Sequence, residues 1–346
     1  MRAALLHDYN TDFVMGEVPD PTIDGPLDVI VRIGAAGLCR TDIHIQQGWF
    51  AEAHRGAGLA LPYAPGHENA GWVEEVGSAV TNVAPGDAVI LHPLQTCGLC
   101  RACRAGQDMH CENGVFNGLV AQGGFAQYMK TNARCTIKLA SHLQPADVAA
   151  LADAGLTAYH AVKKSLPLLY PGTKALVIGA GGLGHIGIQC LLAMSPAEII
   201  VLDPNEGALR LAKELGAHHA VQTKRDGSHL QEVRDLTDGK GAEIVIDFVG
   251  EKGAPADGIA LLRPAGSYFV IGYGEDIQVP TQRIILEEIN FIGNLVGTYN
   301  DLAELMILTA QGKVSLHTQT YDLADVNQAI ADLENGKLVG RGILVP

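Results

Sequence analysis

The sequence predicts an α/β protein in two parts: a mostly β domain of short, irregular strands, and a doubly wound parallel sheet flanked by helices. Three observations predict it. Up to about Ala140, brief apolar runs are broken by turns; from Lys174, continuous apolar runs alternate with helical stretches; and a glycine-rich loop joins the first of those runs to a helix. A length of 346 residues is enough for two separate cores.

In the first part, "DVIVRIGAAG", "GWVEEVG", "GDAVILHP" and "GGFAQYM" read as strands, since each is β-branched or aromatic and bounded by turn residues. In the second, "KALVIG", "EIIVLD", "AEIVIDFVG", "SYFVIGYG" and "NFIGNLVG" are continuously apolar. Such strands are buried on both faces, and "EGALRLAKELGA" supplies the helical period between them. After Val296, "NDLAELMILTAQGKV" and "LADVNQAIADLENGKLVGRGILVP" give two amphipathic helices and a closing strand. Neither end of the chain reads as nucleotide-binding structure, so this tail is expected to return to the first part. The expected domains are 1–155 with 297–346, and 156–296.

Charge narrows the function. With 24 Lys+Arg against 38 Asp+Glu, a net of -14, there is no basic surface to neutralise nucleic acid or an anionic membrane. No apolar stretch approaches the roughly 20 residues of a membrane span, and "MRAALLHDYN" is too short in apolar residues for a signal peptide. A soluble, cytoplasmic protein is expected. The cysteines agree: there are seven, an odd number, and four crowd between Cys97 and Cys111 instead of spreading as a disulfide framework.

The glycine loop reads "GAGGLG", with Gly179, Gly181 and Gly184 in G-x-G-x-x-G and Gly182 and Leu183 between them. Directly after a strand and before a helix, such glycines let backbone N–H groups approach a pyrophosphate at a helix N-terminus. The next strand ends at Asp203, about 20 residues on, where a carboxylate hydrogen-bonds a ribose. That carboxylate repels a 2'-phosphate, and "DPNEG" has no arginine to reverse the preference, so NAD is expected over NADP. Val249, Gly272 and Leu295 fall at or near further strand ends, where such sheets place ligands.

"CGLCRACRAGQDMHC" spaces Cys97, Cys100, Cys103 and Cys111 as C-x2-C-x2-C-x7-C. Four thiolates on one loop close a tetrahedral zinc shell with no open position, the mark of a structural site. An iron–sulfur cluster also takes C-x2-C-x2-C, but its bacterial motif continues x3-C-P, which is missing here.

With "GLCRTDIH", "PGHENAGWVEEVG", the cysteine loop, "GAGGLG" with Asp203, and "GRGILVP", the chain resembles zinc-dependent medium-chain alcohol dehydrogenases from end to end. The resemblance implies a barrel-like β catalytic domain, a Rossmann coenzyme domain and a cleft between them, with one catalytic and one structural zinc. It implies Cys39 and His67 as catalytic zinc ligands, with Glu68 beside the metal as a transient ligand. Many relatives carry a cysteine where this chain has Asp153 in "LADAGLTAYH". Zinc accepts an aspartate oxygen at about 2.0–2.2 Å, and the ligand charge is unchanged. Relatives with this Cys, His, Asp set include some that prefer secondary alcohols. The resemblance also places Arg40 and Arg341 on the coenzyme pyrophosphate, Thr157 near the nicotinamide, and a homodimer or homotetramer paired through the edge strand "NFIGNLVG".

The chemistry suits the residues. Oxidising an alcohol removes a proton and a hydride: an open-sided zinc holds the oxygen and NAD takes the hydride. Thr41 is expected to accept the hydroxyl proton and pass it through the nicotinamide ribose to His44, open to water, while Asp42 orients a zinc-bound histidine. Each residue also has an ordinary reading: Cys39 a buried thiol, His67 a core imidazole, Asp153 a helix cap. Together those readings fail, because an unpaired aspartate in so apolar a run needs a cation. Trp49, Phe50, His92 and Leu119 are candidate pocket walls. Cys135 and Cys190 read as packing thiols, and His185, His218 and His219 as solvent-facing or capping residues. The expected function is an NAD-dependent zinc alcohol dehydrogenase favouring secondary alcohols. Its alternatives are a polyol or formaldehyde-type dehydrogenase of the same family, or a zinc- and nucleotide-binding structural protein.

Overall fold

The computed structural model describes all 346 residues, which divide into two compact units: Met1–Leu156 with Gly297–Pro346, and Thr157–Val296. The division falls inside the helix Ala154–Ser165.

The first unit is built on the strand Asp28–Leu38, which is apolar along most of its length and buried on both faces. It pairs antiparallel with Glu68–Val76, with Tyr128–Asn132 and with Arg341–Val345. Ala88–Leu91, Thr136–Lys138 and Thr318–Asp322 complete a seven-stranded sheet. Val29, Val31, Ile33, Val73, Val89, Leu91, Phe125 and Leu344 fill its core. Each such side chain, fully buried, contributes about 1.5–3 kcal/mol. Register fixes what the sheet positions: Gly37 lies opposite Glu68, and Leu38 opposite Gly342. Cys39, Glu68 and Arg341 therefore meet at one end of three neighbouring strands.

Two readings of this unit change. "GGFAQYM" is not a strand as a whole: Gly123, Gly124 and Phe125 hydrogen-bond back to Ala64, Gly66 and Pro65, and pairing with Asp28–Leu38 starts only at Tyr128. Thr318–Asp322 is a strand with no apolar signature, because it adds to the sheet edge with nearly every side chain exposed.

The second unit is a six-stranded parallel sheet in the order His219–Gln222, Glu198–Asp203, Lys174–Ile178, Ala242–Asp247, Leu262–Val270, Asn290–Gly293. Strand order reverses beside Lys174–Ile178, where doubly wound sheets bind ligands. Leu176, Ile200, Val221, Val245 and Tyr268 lie in its core. The edge strand His219–Gln222 is short and half-buried, and its mixture of polar and apolar residues makes no apolar run. No helix is long and apolar enough to cross a membrane.

Candidate active site

Cys39 is the extended N-cap of the short helix Arg40–Gln46, and the Asp42 carboxylate reaches back to accept the Cys39 N–H at 2.8 Å. That contact satisfies one of the donors a helix start leaves over and fixes the thiol's direction. Asp42 Oδ1 lies 3.4 Å from His67 Nδ1, and Asp153 Oδ2 lies 3.4 Å from His67 Nε2. Asp153 sits between the 3-10 turn Ala149–Ala152 and the helix that begins at Ala154. Ligand-capable atoms of Cys39, His67, Glu68 and Asp153 all lie within 4.8 Å of one another.

Within this cluster both ring nitrogens of His67, Oδ1 of Asp153 and Oδ1 of Asp42 are buried without a hydrogen-bond partner. A buried polar atom left unmade is costly, so the arrangement calls for something that binds several at once. Burial works against charge on His67, yet the Asp42 carboxylate and then Asp153 outweigh it and drive the imidazole well above its usual range. The pocket thus favours positive charge among a thiol, an imidazole and a carboxylate, a donor set that suits zinc.

Glu68 is fully buried; Oε1 accepts the Ala154 N–H at 3.0 Å, and Oε2 accepts from the Arg341 guanidinium, itself buried. Both carboxylate oxygens are thus engaged. The ion pair joins the strand behind His67 to the last strand of the sheet and, through Ala154, to the residue after Asp153. Arg341, expected on a pyrophosphate, has Glu68 as its partner. Thr41 Oγ1 lies 3.6 Å from Cys39 Sγ. Arg40 opens the helix as an exposed residue. The expectation that His44 is open to water is corrected: it is buried, stacked against Trp49.

The cysteine loop brings its four sulfurs into one group, none in a disulfide. Cys97 Sγ and Cys103 Sγ are 4.0 Å apart. A disulfide requires about 2.05 Å, whereas a tetrahedral zinc with bonds of about 2.3 Å sets sulfurs roughly 3.8 Å apart. The N–H groups of Leu99 and Cys100 point at Cys97 Sγ from 3.5 and 3.4 Å and lower that thiol to about 6. Burial and the neighbouring sulfurs of Cys111 and Cys100 push Cys103 up to about 12. Four sulfurs this close cannot all ionise without a cation.

In the second unit, Gly179 has φ +90°, and a Cβ on Gly184 would stand 1.8 Å from Gly179 O, so strand and helix meet here only through glycine. A Cβ on Gly181 would meet nothing within 4 Å, which leaves the loop's outer face open to a ligand. Gly182 and Leu183 lead from it into the helix Gly184–Met194. Asp203 is buried; Oδ2 accepts the Ala180 N–H at 2.7 Å and Oδ1 the Asn205 N–H at 2.8 Å. The acid therefore braces the glycine loop. Val249 follows the strand Ala242–Asp247, Gly272 follows Leu262–Val270, and Leu295 follows Asn290–Gly293, so these three cluster at strand ends. Thr157 is buried in the first turn of the helix Ala154–Ser165.

Of the candidate pocket walls, Phe50 and Leu119 pack on the core of the first unit. The ring nitrogens of His92 lie 3.1 Å from Leu94 O and Gly297 O, so it serves the backbone. Two histidines differ from expectation: His185 is buried with Nδ1 against Gly181 O, and His219 begins a strand and pairs with Glu198. Cys135 and Cys190 are buried. The sequence reading missed Phe116, whose ring meets His67 edge-on at 5.9 Å, because nothing local to "VFNGLV" marks it.

Comparison with known proteins places this geometry. Residues 25–141 match the alcohol dehydrogenase GroES-like domain, and residues 182–311 match the zinc-binding dehydrogenase family. The NAD-dependent alcohol dehydrogenase of Sulfurisphaera tokodaii is 36% identical, with all of both chains covered. The D-arabinose 1-dehydrogenase (NADP(+)) of Saccharolobus solfataricus is 34% identical over all of this chain and 97% of its own. Among solved structures, the alcohol dehydrogenase of Aeropyrum pernix superposes with a TM-score of 0.94 at 45% identity, covering all of both chains. On this full-length likeness, the chain belongs to the zinc-dependent medium-chain alcohol dehydrogenase family.

Proposed function

We propose that the protein is an NAD-dependent alcohol dehydrogenase that interconverts alcohols, secondary ones first, with ketones or aldehydes. The observation that carries this reading is the set of Cys39 and His67, both buried, and Asp153, half-buried, with its unpartnered nitrogen and oxygen atoms. Cys39, His67 and Asp153 would hold a zinc ion that supplies positive charge to a substrate oxygen, and Gly179–Gly184 with Asp203 would hold NAD, whose chemistry is hydride acceptance.

The remaining work falls to side chains. Asp42 orients His67 and fixes the Cys39 backbone. Thr41 Oγ1 accepts the substrate's hydroxyl proton as it passes its own proton on, and His44 is the terminal acceptor from which a proton is released. Glu68 and Arg341 hold the strand ends that carry Cys39 and His67 in register. Phe116 gives the pocket an apolar wall, which favours a simple alcohol over a polyol. Asp203, with no arginine beside it in "DPNEG", favours NAD over NADP. Cys97, Cys100, Cys103 and Cys111 hold a second, structural zinc. The edge strand Asn290–Gly293 and the exposed Ile285 and Leu286 support pairing into a homodimer or homotetramer.

The test is the initial rate of NAD reduction with a small secondary alcohol and its primary isomer, before and after chelation. A chelator-sensitive rate favouring the secondary alcohol is expected. No turnover with either, in protein holding two zinc ions per chain, refutes the substrate reading. A polyol as the better substrate moves the assignment towards the sugar-oxidising relatives.

A further inference from the structure

The helix Arg40–Gln46 ends in a defined way. Gly48, at φ +81°, takes the left-handed position; its N–H donates to Ile45 O at 3.0 Å, and the Trp49 N–H donates to His44 O at 3.0 Å. These two bonds form a Schellman motif, whose usual companion is a side-chain contact between the residue after the glycine and the residue five before it. Here that contact joins an indole to the histidine expected to move a proton. The rings of Trp49 and His44 lie 4.1 Å apart and 4° from parallel. Trp49 is 61% exposed while His44 is 8% exposed, so the tryptophan faces water with the imidazole beneath it.

We propose that Trp49 is a positioning residue for proton release: its indole covers one face of the His44 ring and holds the ring in one plane. This rests on the alcohol-oxidising reading above. A ring stacked face to face on an indole is hindered from turning about its side-chain bonds. An indole face also attracts positive charge, which suits a ring that carries a proton for part of each cycle. An ordinary helix stop needs only an apolar group at position 49. The flat aromatic surface is what the relay adds.

Three variants separate the two roles. Trp49→Leu keeps an apolar group at the helix stop without a flat ring, Trp49→Phe keeps a flat ring, and Trp49→Ala keeps neither. Trp49→Leu is expected to melt like the parent while kcat for alcohol oxidation falls about tenfold, a part of the roughly 10²–10⁴-fold contribution of a positioned acid–base group. KM for alcohol and for NAD is expected to hold, Trp49→Phe to recover most of kcat, and Trp49→Ala to lose both stability and kcat.

A second readout needs no turnover. The emission of Trp49, taken as the difference between the parent and Trp49→Phe, is expected to rise when His44→Gln removes the stacked ring. Wild-type kcat in Trp49→Leu, or emission indifferent to His44→Gln, overturns the proposal and leaves the alcohol reading standing. Absence of alcohol turnover in the parent overturns both, and the emission then shows separately whether the stack exists.

Discussion

Replacing Arg341 with methionine tests the buried ion pair beside the Cys39, His67 and Asp153 cluster. Glu68 is fully buried and has two partners, the Ala154 N–H at 3.0 Å and the Arg341 guanidinium. Arg341→Met leaves the carboxylate buried with one neutral donor, and breaking a buried pair from one side costs about 3–5 kcal/mol. For a unit of roughly 200 residues, where 1 kcal/mol moves a midpoint by about 2–4 °C, that is a fall of roughly 6–20 °C. Adding Glu68→Gln removes the stranded charge, keeps an oxygen for the Ala154 N–H and restores most of the loss. Thermal melts of the parent, both single variants and the double variant form the cycle, and the coupling is expected to exceed about 1 kcal/mol. A double variant no more stable than the sum of the single losses predicts would refute the reasoning. Glu68 and Arg341 would then act independently.

Three further outcomes are expected. Asp153→Ala should bind one zinc fewer and lose more than about 100-fold in turnover, since the metal's positive charge at the substrate oxygen goes with it; full activity would remove Asp153 from the site. Cys103→Ser should also lose one zinc but act mainly on stability, with a lower melting point and near-normal turnover per folded chain; an unchanged melt would contradict it. Glu198 is held below the usual carboxylate range, first by its hydrogen bond to Lys174 and also by His219, so its contribution is present above its ordinary value of 4.5 and is lost as pH falls through the folded value. Glu198→Gln should therefore be less stable than the parent at pH 7, by under about 1 kcal/mol because the pair is partly exposed, and equal to it in strong acid; a gap that persists in acid would refute the link.

Legibility in the sequence followed the range of each interaction. The parallel sheet was readable because its central strands are buried on both faces and announce themselves as apolar runs. His219–Gln222 and Thr318–Asp322 were missed because edge strands are held by backbone bonds along one side and need no apolar residues. The four sulfurs and the glycine loop were readable as groups because their geometry lies within about fifteen residues of chain. The Glu68–Arg341 pair spans 273 residues and exists only through strand register. The stack of Trp49 on His44 was local, but its cause, a left-handed glycine at the helix stop, shows only when the backbone is seen.

The strand pairing also constrains how the protein is made. Arg341 and its strand follow the whole of residues 157–296 in the chain, yet they belong to the first unit. During synthesis the second unit, being continuous, can fold as soon as it emerges, and domains generally do so in turn. The first cannot: until residue 341 is available, Glu68 has no counter-charge and the strand Asp28–Leu38 has an unsealed side. A nascent chain that has emerged as far as Val296 therefore carries a complete second unit beside a first unit that still lacks Gly297–Pro346 and, with it, the strand that seals its sheet.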